Sequence, residues 1–179
     1  MISIKKPFIL IQVYLIVFLF FVGLPLCAQE NGLSKKIVGW VECAFIEKVG
    51  IEIIAKLDSG ADNSSLNVDK LFEFKSDGFN FFCFEIVNYK GQKEVIEAKV
   101  TRIARIKRHE SMSDHRPVIF LDRYLGKTCK NAEVNLVDRS KYKYQLLLGG
   151  SFLKDDFLVD PSKMLILPPP MSMRIPDNH

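Results

Sequence analysis

Ala55-Lys56-Leu57-Asp58-Ser59-Gly60-Ala61-Asp62-Asn63-Ser64-Ser65-Leu66 is the stretch that decides how this chain folds. The run that leads into it, Ile51 to Leu57, is apolar and rich in β-branched residues, which predicts a strand. That strand ends in Asp58, and Ser59 and Gly60 follow at once. An Asp-Ser-Gly turn at a strand end presents a carboxylate. The hydroxyl and amides of the turn hold it, and Gly60 allows a close backbone approach where a side chain would clash. In an arbitrary sequence Asp58 would be a turn former in an Asx bend. A second segment, Gln145 to Leu153, argues for more, because there an apolar strand reaches Gly149-Gly150 and then a short helix-like stretch.

Working outward, the chain reads as mostly β. Ile37 to Phe45 and Ile51 to Leu57 predict two strands joined by a hairpin turn at Glu47-Lys48-Val49-Gly50. Phe79 to Val87 predicts another, followed by a turn at Asn88 to Gln92. Between Glu94 and Ile106, Ile96, Ala98 and Val100 alternate with Glu97, Lys99 and Thr101, the pattern of one half-buried strand. Val118 to Leu121, Ala132 to Val137 and Tyr144 to Leu148 add three more. Helical signals are short, at Val68 to Phe72 and Ser151 to Asp155. Many short strands with polar turns predict an all-β barrel or sandwich.

The N-terminus reads as an export signal. Lys5 and Lys6 precede a stretch, Pro7 to Gln29, without a charged residue, and Leu26-Cys27-Ala28 resembles a cleavage site. The apolar run would also serve as a single membrane anchor, and Leu24 to Cys27 as a lipoprotein site, though Leu26 fits that poorly. The expected organisation is a signal peptide or anchor over 1–28, a linker over 29–36, one domain over 37–168 and a flexible tail over 169–179. An exported, periplasmic or envelope-associated protein follows, in contact with the membrane only if the leader stays uncleaved. Without Lys5 and Lys6 the formal charge of +4 falls to +2, too little to argue for nucleic acid. Outside the leader lie Cys43, Cys83 and Cys129, an odd number for an oxidising compartment. They read as small core residues, or as one disulfide and one thiol.

From Ile37 to Leu167 the chain resembles the bacterial retropepsin-like aspartic endopeptidases, a family whose older name is ATP-dependent zinc protease. The matching pieces are Ile37 to Glu42, Lys56 to Ala61 with Ser64-Ser65-Leu66, Arg116 to Ile119, Val134 to Arg139, Leu147-Leu148-Gly149 and Phe157 to Pro161. The resemblance implies an acid-protease barrel with one or two short helices. It also implies a homodimer in which two Asp58 side chains face each other across a two-fold axis. Such a pair shares one proton, and one carboxylate acts as base toward water while the other acts as acid. Ser59, Gly60 and Ala61 would orient the carboxylate, and Leu148 and Gly149 would pack behind it. Two positions depart from the family: Asp62 stands where relatives are usually basic, and Gly150 where Arg is common. With Arg116, these are the candidate substrate-facing residues, for a peptide or protein substrate.

The older family name finds no support in these residues. There is no Gly-x-x-x-x-Gly-Lys-Ser/Thr loop for ATP and no His-Glu-x-x-His pair for zinc. Members of the family occur beside ATP-grasp peptide ligases, but nothing in this sequence imports that pathway. His109 and His115 sit in a basic, polar segment, Arg105 to Arg116, with no further ligands to place. That segment reads as a solvated loop, a flap or substrate-facing edge, with Lys107, Arg108 and Arg116 exposed. No cofactor and no metal are expected. The reading is an exported aspartic endopeptidase; the alternative is a non-catalytic envelope scaffold that keeps the fold.

Overall fold

The computed structural model describes residues 34–107 and 113–168. The expectations for the leader, for Arg108 and His109, and for the tail lie outside the described residues. Eleven strands and one short helix make up the described chain, so the fold is all-β.

Strand β1 (Lys36–Ile46) and strand β2 (Ile51–Leu57) form the expected hairpin. A 3-10 turn over Glu47–Val49 joins them and is closed by Gly50 at φ +68°, a left-handed conformation suited to glycine. Along β2 the core takes Ile51, Ile53, Ala55 and Leu57, while Glu52, Ile54 and Lys56 face outward. That period of two is what the sequence showed.

The next strands are β3 (Ser64–Asn67), β4 (Asp69–Ser76), β5 (Phe79–Val87), β6 (Lys93–Lys99) and β7 (Arg102–Lys107). Then come β8 (Ser113–Leu125), β9 (Thr128–Val137) and β10 (Leu146–Leu148), helix α1 (Gly150–Leu153) and β11 (Phe157–Met164). The main sheet has the order β11-β1-β2-β10-β3-β9-β8-β7. It curls far enough for β1 to meet β8 over Ala44, Phe45 and Ile46. This is a mixed sheet folded back on itself, not an evenly closed barrel. Leu66, Phe84, Ile119, Leu125 and Phe152 are among the fully buried side chains of its core.

Several local expectations are corrected. Val68 to Phe72 is not helical; most of it belongs to β4, where Phe72 and Phe74 pair with Cys83 and Phe81 of β5. The signal for this was the Asp77-Gly78 turn. Both residues take positive φ, +51° and +78°, as a tight hairpin requires. The single strand expected from Glu94 to Ile106 is two strands in different sheets. The break is sharp: Val100 N–H donates to Asn80 of the small β4-β5-β6 sheet, and Thr101 N–H to Val118 of the large one. Alternation carries no mark of such a switch, because both strands keep the same period. The described ends of the segment read as a solvated loop are strand, β7 up to Lys107 and β8 from Ser113, and Arg116 lies on β8 with a mostly covered side chain. The three cysteines form no disulfide; Cys43 and Cys83 are half-buried and Cys129 is exposed, so none is a core residue.

Candidate active site

Asp58 leaves the end of β2 beside the end of β10. The two strands run parallel, with Leu57 opposite Leu148. The Asp58 amide donates to the Leu148 carbonyl at 2.9 Å, and Ala61 N–H closes the turn on the Asp58 carbonyl at 3.2 Å. The carboxylate is held at both oxygens. Gly60 N–H donates to Oδ1 at 3.2 Å, and the Lys56 ammonium reaches Oδ2 at 3.1 Å. No hydrogen bond of the exposed Ser59 hydroxyl is formed among the described residues.

Behind the turn, two backbone layers cross at close range. Gly150 N–H donates to the Ala61 carbonyl at 2.6 Å and Ser151 N–H to the Asp62 carbonyl at 2.9 Å. Gly149 N–H donates to the buried Ser64 hydroxyl at 3.2 Å. A Cβ on Gly149 would lie 2.6 Å from the Asn63 carbonyl, so only glycine fits. At Gly150 the nearest atom to such a Cβ is 3.5 Å away, ordinary contact. Position 150 could therefore hold a side chain. The same pairing brings residues 62 and 150, the two positions expected to depart from the family pattern, close together.

Further out lies a polar network of which sequence reading singled out only Arg116 as a candidate. Arg116 bonds Asp114 at 3.0 Å through Nε and at 2.9 Å through Nη2, and reaches Asn135 at 3.4 Å. Asn135 in turn donates to the Ser64 carbonyl at 2.7 Å. Arg139 donates to the Ser65 hydroxyl at 2.9 Å and to the Tyr144 carbonyl at 3.4 Å, and its own amide bonds the Asn67 side chain. Burial pulls the Arg139 guanidinium below its ordinary value and Arg116 pushes the same way, while Tyr142 and Asp58 oppose them. The signal was present, since Ser64-Ser65 and Arg139 stand in the matched pieces. Only the β3-β9 pairing, Ser64 with Val134 and Ser65 with Asn135, shows that they meet.

A cavity of about 470 Å³ opens beside Arg116, lined also by His115, Lys141 and Tyr142. Another of about 440 Å³ lies between Ile54, Tyr89 and Lys143. Neither touches Asp58, whose side chain is 31% exposed. The carboxylate stands on an open face of the described chain. Among the described residues no three His, Cys, Asp or Glu side chains gather where a metal could sit.

An all-β chain that carries one Asp-Ser-Gly turn against a Leu-Gly strand end defines a retropepsin-like protein. Residues 37–170 match the family described as RimB-like, retropepsin-like aspartic endopeptidase RimB, and the chain belongs to that family. A crystal structure of a Legionella pneumophila protein of unknown function superposes with a TM-score of 0.65 at 28% identity, covering 74% of this chain and 98% of that one. A probable alpha-L-glutamate ligase of Shewanella pealeana is 31% identical over 138 residues, 75% of this chain. One from Desulfotalea psychrophila is 29% identical over 143 residues. This chain spans 30% of the length of either ligase.

Proposed function

We propose that the chain is an exported aspartic endopeptidase whose active site is completed by a second copy of itself. The observation that carries this is the Asp58 turn: a fixed carboxylate on an open face, built on the pairing of Asp58 with Leu148. One carboxylate cannot both activate water and protonate a leaving amine. Across a two-fold axis, the paired Asp58 groups share one proton, as the carboxylate dyads of aspartic proteases do. The ionised member takes a proton from water as its oxygen attacks the peptide carbonyl. The protonated member then gives its proton to the amide nitrogen as the C–N bond breaks. The exposed Ser59 hydroxyl is available for a bond across the axis. Family membership supports this reading, and the apolar N-terminal stretch supports export.

Peptide-library cleavage by the purified chain and by Asp58→Asn, from about pH 4 to 7, is the test, because a general acid–base pair contributes roughly 10² to 10⁴-fold. Cleavage lost in the variant supports the endopeptidase. No cleavage by a folded, dimeric wild type rejects it and favours a scaffold that has kept the fold.

A further inference from the structure

We infer that Lys56 is a positioning residue of the paired site, a fixed counter-charge that lets two Asp58 carboxylates approach across the axis. The inference rests on the dimeric reading above and adds the group that balances its charge.

The strand period places Lys56 and Asp58 on one face and sends Leu57 into the core. The Lys56 ammonium lies on Oδ2 at 3.1 Å while the Gly60 amide holds Oδ1 at 3.2 Å, so each oxygen has its own donor. Carboxylate oxygens accept more than one hydrogen bond, which leaves room for a water and a shared proton. In a single chain the pair is exposed, 41% and 31%, and solvent screens most of its worth.

A dimer changes that balance. It would gather two Asp58 and two Asp62 carboxylates at one axis and shed the water that screens them. The other cations near the site are already engaged. Arg116 is bonded to Asp114, and Arg139 is bonded to Ser65 and to the Tyr144 carbonyl, acting on Asp58 only through space. Lys56 is the cation in direct contact with Asp58 among the described residues. It also shares a lateral row of the sheet with Val41 and Leu147, which flank its stem. Without it, like charge opposes pairing whenever the carboxylates are ionised.

Sedimentation of the full-length chain at about pH 4 and pH 7, as wild type, Lys56→Met and Lys56→Arg, tests this directly. Lys56→Met is expected to weaken the dimer about tenfold or more at pH 7 and to recover at pH 4, as a charge effect does and a packing effect does not. Lys56→Arg is expected to restore the dimer at both. A Lys56→Met dimer of wild-type affinity at pH 7 would overturn the inference. Equal weakening at both pH values would do so too, since that marks lost packing. Peptide cleavage measured alongside separates the two readings. A dimer that depends on Lys56 without turnover upholds this inference and rejects the endopeptidase; turnover with no dependence on Lys56 does the reverse.

Discussion

The amide of Asp58 donates to the carbonyl of Leu148 at 2.9 Å, which ties the Asp-Ser-Gly turn to a strand end from the far part of the chain. That bond fixes the height of the carboxylate above the sheet. The residue after Leu148 must then pass beneath Asn63, and this is why Gly149 has no substitute.

Gly149→Ala therefore sets a methyl against the Asn63 carbonyl at 2.6 Å, and the backbone must shift. The expected cost is about 1–3 kcal/mol by urea denaturation, as for other overpacked sites. Gly150→Ala, one residue on, meets nothing closer than 3.5 Å and should fall within about 0.5 kcal/mol of wild type. Equal losses at the two positions would contradict the crossing geometry.

Asp62 and Gly150 give a handle on specificity. Asp62 is exposed beside the Asp58 turn, and Gly150 has room for a side chain. An Asp62→Lys, Gly150→Arg double variant should fold as wild type does. In an active enzyme it should raise kcat/KM for peptides with acidic flanks by about tenfold relative to basic flanks, since close charge is worth about 1.4 kcal/mol or more at low salt. An unchanged ratio would remove both positions from the substrate path.

Glu42 is buried, and its carboxylate collects Gly39 N–H at 2.6 Å, Ile166 N–H at 3.2 Å and Leu167 N–H at 3.1 Å. It clamps the chain after β11 onto the bulge in β1. Glu42→Ala leaves these amides without their acceptor, and a loss of roughly 2–5 kcal/mol is expected. Amide exchange at Ile166 and Leu167 should rise more than at β2. Uniform protection would show that the clamp does not hold this segment.

Loss of stability in acid is expected to have a local source on β11. Ser162 and then Lys163 hold the Asp160 carboxyl down to about 2 from its ordinary 3.8. A depressed carboxyl stabilises the fold above its unfolded value and loses that contribution as pH falls through the folded one. The contribution of Asp160 is thus expected to be complete above about pH 4 and to fade between about 4 and 2. Stability of Asp160→Asn should vary less with pH across that window, as followed by thermal melts. A curve parallel to wild type would show that the carboxylate held by Ser162 and Lys163 contributes nothing.

Most strands were legible in the sequence, because a half-buried strand writes its period into the residues; β2 and β5 follow their expected bounds. The Asp58 turn and the Gly149-Gly150 end were legible for the same reason: each is set by residue types that few other backbone paths require. The small sheet was not. Val68 to Phe72 is apolar at helical spacing too, and only pairing with β5 decides between the periods. Likewise Val100 and Thr101 look continuous, yet their amides serve two different sheets.

By itself, then, the sequence determined the class of fold and the place of the carboxylate at the end of β2, both carried by neighbours along the chain. Tertiary structure alone decided that residues 62 and 150 adjoin and that Arg116 joins Ser64 through Asn135. The physical reason is common to both. Side-chain rotamers and strand neighbours are set by long-range pairing, and pairing between distant strands leaves no periodic trace in either strand's own residues.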